Sequence, residues 1–415
     1  MPPGIKLKFA FIINALEFKM SNTASRRSFL ATAGLALPAV GLARPADEKQ
    51  TKKPNTTLAP NTLTKDTTPK FTYRALGKTG LKPTAVGFGC MVTSDPTVVE
   101  RAADIGITYF DTARVYQGGN NERMVGAALK GKRNSLILSS KTHATTKEQA
   151  LADIDISLKT IGTDHLDIWY LHAKTKAEQI TDDLMEAQNI AKQQGKIRFA
   201  GVSTHGGHQE VIPAAISKKH FDVILASYNF TMDPPIDPLL QAAKDAGIGV
   251  VAMKVMAGGF RTIKEGNKRW DTFHRDGAML AMLKWALRNK NVDTTVPSIT
   301  DFDQLDQNLR AMSETFTPAD DKLLAERLQH LAPLYCRMCG KCDGHCAKGL
   351  PVADLIRYVS YAEGYGEFDM ARDQFLALPD YMQTVRCGDC GECTVHCPNG
   401  VRVSARVSRA QELFA

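Results

Sequence analysis

The chain lacks any run of about 18 uninterrupted apolar residues, the minimum for a membrane-crossing helix, which excludes a multi-span membrane protein. It lacks the fingerprint G-x-G-x-x-G. Gly87 and Gly89 follow a short β-branched run, but the third glycine is missing, which argues against a doubly wound dinucleotide fold. It also lacks a large charge excess. The formal net charge is +8 over 415 residues, and residues 1–43 hold Lys6, Lys8, Lys19, Arg26 and Arg27 against Glu17, so half of the excess lies in the first tenth of the chain. The remainder is too mild to point to nucleic acid. Cysteine is almost absent before residue 336, where Cys90 stands alone, and eight cysteines crowd the remainder. What is present, 43% apolar and 23% charged residues, is an ordinary globular composition that excludes a wholly disordered chain. The length suits two or three domains.

Ser25-Arg26-Arg27-Ser28-Phe29-Leu30 sets two adjacent arginines before a mildly apolar run, Ala31 to Ala43, interrupted by Gly34, Pro38 and Gly41 and too short to span a bilayer. It closes on Gly41-Leu42-Ala43, the small residues a signal peptidase requires. Residues 1–43 resemble a twin-arginine signal peptide, with Ala31 where lysine is common. Met20, six residues before Arg26, is a candidate native start. Such a signal implies the twin-arginine export machinery as a partner and a periplasmic or exported location. Residues 44–69, rich in Thr, Lys, Pro and Asn, bury too little to offset chain entropy and read as a flexible linker.

From residue 70 to 332, short β-branched runs alternate with amphipathic stretches. The expected strands are Ala85–Cys90, Thr108–Asp111, Leu136–Lys141, Leu166–His172, Arg198–Ser203, Val223–Tyr228, Gly249–Val255 and Thr294–Ser298. Helical patterns between them include Glu122–Leu129, Lys147–Ile161, Ile180–Gln194, Pro238–Ala246, Gly277–Arg288 and Phe302–Met312. Eight β/α units of this size predict an α/β protein built on a (β/α)8 TIM barrel, whose chemistry belongs at the C-terminal ends of its strands. Asp111, Lys141 and His172 end the second, third and fourth runs, and Tyr116 lies in the loop after Asp111.

In order, spacing and placement, Asp111, Tyr116, Lys141 and His172 resemble the catalytic tetrad of the aldo-keto reductases, a resemblance that covers most of residues 71–330 and extends to Gly195-Lys196-Ile197-Arg198 and Asn308. It implies an oxidoreductase that moves hydride between a nicotinamide cofactor, NADP or NAD, and a small carbonyl or alcohol substrate. Tyr116 would be the general acid/base, its pKa lowered from about 10 by the Lys141 ammonium, which Asp111 holds in place. His172 would orient the substrate carbonyl. The resemblance also implies cofactor contacts at Ser203, Tyr228 (stacked on the nicotinamide), Gly258, Ser298 and Asn308. Here the chain departs from the family, reading Ser203-Thr204 for Ser-Asn, Leu225 for Gln, and Ser298 and Gln304 for the Lys and Arg that meet a 2′-phosphate.

Cys336-x2-Cys339-x2-Cys342-x3-Cys346 is followed, forty residues on, by Cys387-x2-Cys390-x2-Cys393-x3-Cys397-Pro398. This is the spacing of bacterial two-cluster ferredoxins, in which the fourth cysteine of each motif reaches the other cluster. It predicts two 4Fe-4S clusters, one on Cys336, Cys339, Cys342 and Cys397, the other on Cys387, Cys390, Cys393 and Cys346. Structural zinc favours paired C-x2-C knuckles, and disulfides pair poorly at such close spacing. His345 and His396 read as packing neighbours and Cys90 as a buried free thiol. Apolar positions at helical spacing in Val352–Ala362 and Met370–Leu378 make residues 333–415 a small, mainly helical ferredoxin-like domain.

Aldo-keto reductase barrels with such a tail form a recognisable subfamily. The parts together suggest an exported iron–sulfur oxidoreductase whose clusters exchange electrons with a redox partner protein. The alternative is an electron-transfer protein that uses the barrel as a docking scaffold without hydride chemistry. No nucleic acid and no stable membrane span are expected.

Overall fold

Apolar runs too short for helices, each followed by an amphipathic stretch, pair in chain order into a single parallel sheet. The computed structural model describes residues 70–232, 236–259 and 277–415, all within one compact unit. The expected signal peptide and linker, residues 1–69, lie outside the described residues. The strands are β1 (Phe88–Gly89), β2 (Tyr109–Asp111), β3 (Ile137–Thr142), β4 (Leu166–Leu171), β5 (Ile197–Thr204), β6 (Val223–Ser227), β7 (Gly249–Met253) and β8 (Thr294–Thr295). Each pairs in parallel with the next, and bridges from Val86 to Thr295 and from Gly89 to Ser298 bring the eighth back to the first. This is the expected (β/α)8 barrel.

Alternation along the strands sorts side chains into two cores, as a closed sheet buried on both faces demands. Tyr109, Ile137, Ile168, Tyr170, Leu225 and Val251 fill the lumen, whose floor is closed by Leu76 and Leu81. Those two belong to a leading hairpin pinned by the antiparallel bridge from Tyr73 to Thr84. Phe110, Leu138, Trp169, Leu171, Val202 and Val250 face outward into the layer shared with the helices.

The outer helices are α1 (Pro96–Asp104), α2 (Asn120–Ala128), α3 (Lys147–Ile161), α4 (Asp182–Gln193), α5 (His208–Lys218), α6 (Ile236–Asp245), α7 (Ala278–Arg288), α8 (Phe302–Arg310) and α9 (Pro318–Leu331). The third shows how the sequence sets such an element. Thr146 caps its start by accepting from Gln149 N–H, Gly162 stops it in the left-handed region (φ +78°), and Ala150, Ile154, Leu158 and Ile161 bury one face. Under the barrel floor, the carboxylate of Asp167 joins Arg133 at 2.8 Å and Arg198 at 2.7 Å.

Beyond α9 the described residues form helices only: α10 (Val352–Ser360), α11 (Phe368–Leu376), α12 (Asp380–Thr384) and α13 (Val403–Phe414), with a π-helical turn, Tyr361–Tyr365, extending α10. They have their own core, in which Leu355, Ile356, Val359, Phe375, Val407 and Phe414 meet. Glu363 ties the π turn to α13 through Arg406 at 2.7 Å and Arg409 at 2.9 Å.

This segment lies over the C-terminal ends of the strands. A Cβ on Gly364 would stand 2.4 Å from the Gly258 carbonyl oxygen, and one on Gly206 would stand 2.3 Å from that of Met338. Asn229 Nδ2 reaches the Tyr335 hydroxyl at 3.3 Å. Among the described residues no helix is long and apolar enough to cross a membrane.

Candidate active site

Three strand ends and one loop deliver the tetrad. Asp111 ends β2, Lys141 is the penultimate residue of β3, His172 follows β4 directly, and Tyr116 opens the 3-10 turn Tyr116–Gly119. All four side chains are buried. Lys141 Nζ donates to Asp111 Oδ2 at 2.6 Å and to the Thr112 carbonyl at 2.6 Å. Ser139 Oγ donates to the other carboxylate oxygen at 2.7 Å, so Asp111 is held on both sides. The ammonium sits 4.9 Å from the centroid of the Tyr116 ring, and the Tyr116 and His172 rings lie edge to face with centroids 5.9 Å apart.

The electrostatics correct one expectation. Burial, then the Asp111 carboxylate, hold the Tyr116 phenol well above its ordinary pKa, so its proton is firmly held rather than loosened. The Lys141 ammonium is engaged by Asp111, and burial lowers its own pKa. Burial, with the field of His143 and Lys141, pushes His172 well below its ordinary value. It is therefore a neutral imidazole, and its Nδ1 has no partner.

A cavity of about 250 Å³ opens beside Asp111 and Tyr116 and extends past Lys254 and Gly259 to Pro297, Ser298 and Gln304. The residues expected at the cofactor divide. Ser298 lines this cavity. Asn308, one helical turn beyond Gln304, is fully buried with both amide atoms unpartnered. Gly258 lies under the C-terminal segment, against Gly364. Ser203 is buried and accepts from the Ala173 N–H at 2.8 Å, away from the cavity lining.

The stacking role of Tyr228 is corrected. One residue past β6, it falls in the outward register, packs on Trp285 at 4.9 Å and donates its hydroxyl to Asp237 at 2.8 Å. The lumen-facing neighbour is Ser227, which lines the cleft beside His205. Gln304 is also engaged locally, with Nε2 donating to Thr300 Oγ1 at 2.8 Å and its backbone N–H to Asp301, the N-cap of α8.

His143, His205 and Lys254 were not singled out in the sequence, yet each follows a strand end, after β3, β5 and β7 respectively. The same strand-end rule that selects Asp111 selects them. The His143 and His172 rings lie 4.1 Å apart.

The C-terminal cysteines gather as two sets, and none of the eight is in a disulfide. Cys336, Cys339, Cys342 and Cys397 line one small cavity, where Asn399 Nδ2 donates to Cys339 Sγ at 3.5 Å. Burial raises the Cys336 thiol to about 12 and the Cys342 thiol to about 11. Burial likewise raises Cys387, and its neighbours Cys393, Cys346 and Cys390 add to the effect. Both groupings follow the crosswise partition of the two motifs. Among the described residues no three His, Cys, Asp or Glu side chains close around a single metal ion. A narrow cleft lined by His205, Ser227, Lys254 and Tyr335 runs from the barrel mouth to Cys336.

Barrel and site together define an enzyme, an oxidoreductase of the aldo-keto reductase type. The sequence model of the Aldo/keto reductase family matches residues 93–278, so the barrel contains an aldo/keto reductase domain. Similar proteins include the L-galactose dehydrogenase of Arabidopsis thaliana, 28% identical over 287 residues (59% of this chain, 89% of that protein). Another is the L-glyceraldehyde 3-phosphate reductase of Escherichia coli K12, 25% identical over 324 residues (63% of this chain, 92% of that protein). The solved holo form of aldo-keto reductase AKR11C1 from Bacillus halodurans superposes with a TM-score of 0.54 at 27% identity, covering 66% of this chain and 99% of that one.

Proposed function

We propose that the chain is an exported iron–sulfur oxidoreductase that interconverts a small carbonyl compound and its alcohol with a nicotinamide dinucleotide. Its eight C-terminal cysteines would hold two 4Fe-4S clusters that exchange electrons with a partner protein. The observation that carries the reading is the grouping of Asp111, Tyr116, Lys141 and His172 at the C-terminal mouth of the barrel, with Asp111 and Tyr116 lining one cavity and Lys141 and His172 packed against them.

The donor sets suit the two groups. The cavity runs from the tetrad to Ser298, and the unpartnered amide of buried Asn308 lies beyond it, which supports an elongated polar ligand. Two sets of four cysteines, Cys336, Cys339, Cys342, Cys397 and Cys387, Cys390, Cys393, Cys346, match the number and type of ligands that cubanes take. When bound, the dinucleotide supplies hydride and the clusters supply one-electron exchange.

The chain's own residues set the proton chemistry. Tyr116 keeps its proton at neutral pH and delivers it from its hydroxyl to the carbonyl oxygen. Lys141, fixed by Asp111, places a positive charge beside the phenolate that this leaves. Neutral His172 orients the carbonyl, and the C-terminal segment over the mouth limits water. Export rests on the Arg26-Arg27 pattern and its apolar run.

The test is Tyr116→Phe, with turnover of carbonyl substrates followed with NADH and NADPH in turn. A loss of at least about 100-fold is expected, with the visible absorbance of the clusters unchanged. Unchanged turnover overturns the tetrad assignment, and cluster bleaching by a protein reductant but by neither nicotinamide would favour the electron-transfer reading.

A further inference from the structure

Lys254 has no part in the chemistry above, yet it stands at its centre. It directly follows β7 in the left-handed backbone region, with φ +57°, a conformation that a lysine adopts only when its surroundings hold it there. It lines both the cavity at Tyr116 and the cleft toward Cys336, and Tyr365 is the other residue common to the two. Its ammonium lies 4.7 Å from the ring centroid of Tyr361 and 4.9 Å from that of Tyr365. Met91 Sδ is 3.6 Å away.

No carboxylate pairs with Lys254 among the described residues. The acids nearby are already committed: Asp111 to Lys141 at 2.6 Å, Asp354 to Arg357 at 2.8 Å, and Glu363 to Arg406 and Arg409. Arg357 adds a second cation to the cleft, and its Nε has no partner. Burial lowers the pKa of Lys254; the neighbouring Tyr361 hydroxyl, a hydrogen-bond partner and not a counter-ion, opposes this, and the Arg357 and Lys141 charges add to it. A partly buried ammonium with aromatic faces but no counter-ion gains most from a ligand that brings a negative charge.

We propose that the substrate is an oxo acid, or the corresponding hydroxy acid, whose carboxylate seats on Lys254 within the field of Arg357 while its carbonyl oxygen lies at Tyr116. This rests on the oxidoreductase reading for the role of Tyr116 but not for the anion seat itself. The carboxylate takes no part in bond changes. It anchors one end of the molecule, so that the reacting carbon is presented in one orientation. A phosphate oxygen of the dinucleotide would satisfy the same ammonium, so the experiment must separate the two sources.

The full-length protein is titrated calorimetrically with phenylglyoxylate and with its methyl ester, each with and without saturating NADH, in the wild type and in Lys254→Met and Lys254→Arg. The acid is expected to bind the wild type at least about tenfold more tightly than the ester, the scale of one charge-assisted hydrogen bond. That preference should vanish in Lys254→Met, survive in Lys254→Arg and persist with NADH bound. Equal binding of acid and ester, or binding of neither, overturns the proposal. So does displacement of the acid by NADH together with weaker NADH binding by Lys254→Met, which would assign the ammonium to the dinucleotide. Tyr116→Phe should keep the acid preference whether or not it turns over, so failure of the hydride reading leaves this result standing.

Discussion

His172, His205 and His208 are each almost wholly buried, and burial is the first cause that holds each imidazole neutral. His208 is pushed down to about 4, with no partner on Nε2. An exposed imidazole titrates near 6.5. Below that pH the unfolded chain takes up protons that the folded chain refuses, so the stability tied to each group is complete above about pH 6.5 and declines as the pH falls toward the folded-state value. For His208 the loss at pH 5 is about 2 kcal/mol. His208 lies on α5, apart from the tetrad, so His208→Gln isolates one such term. Between pH 7 and pH 5 the urea midpoint of the wild type should fall further than that of the variant, by the equivalent of about 2 kcal/mol. Equal slopes would show that His208 takes up no proton on unfolding.

At this scale the placement of Asp111, Lys141 and His172 at the barrel mouth was legible, because each closes an apolar run. That of Tyr228 was not. Shifting a strand end by one residue turns a side chain from lumen to outer layer, and sequence patterns do not fix strand ends that finely. Nor could the sequence show that burial and the Asp111 carboxylate keep the Tyr116 phenol protonated.

Among the elements, the π turn Tyr361–Tyr365 shapes the mouth of the site by carrying Tyr361 and Tyr365 to Lys254. Gly364 permits this contact. A side chain there meets the Gly258 carbonyl, which is backbone and cannot rotate away. Gly364→Val should therefore lift the turn from the β7 loop at a cost of about 1–3 kcal/mol. A lower midpoint in thermal unfolding and a raised KM with the barrel's far-UV signal retained would report it. An unchanged KM would show that the turn does not shape the mouth. The helical spacing of Val352–Ala362 announced a helix here, which the structure ends as α10 at Ser360, but not the change to π geometry, because one extra residue in a turn leaves no mark on apolar periodicity. The long middle strands β3 to β5 were plain in sequence. In the two-residue β1 and β8, by contrast, neighbouring strands rather than local propensity set the ends.

Across the described residues, the two cores of the barrel, the core of the helical segment and two sets of cysteines divide the labour. Cys397 belongs to the second motif by sequence but shares a cavity with the first three cysteines of the other. Cys397→Ser and Cys346→Ser should each lower the iron content from about eight to about four per chain, and each should leave a different cluster signal by electron paramagnetic resonance. Identical residual signals would contradict the exchange of fourth ligands. The succession of a barrel and a C-terminal helical segment could be read from composition and spacing alone. Their contact could not, because Gly206 with Met338 and Gly258 with Gly364 join positions more than a hundred residues apart without any shared pattern.

That contact also has a consequence in time. Asp111 and Tyr365 line the same cavity, yet about 250 residues separate them, and the ribosome adds residues at roughly 5–20 per second. A nascent chain can close its barrel while the mouth still lacks one wall. The pocket comes into being only when the segment that carries Tyr365 has folded onto the strand ends, so a complete site appears well after the barrel itself has been made.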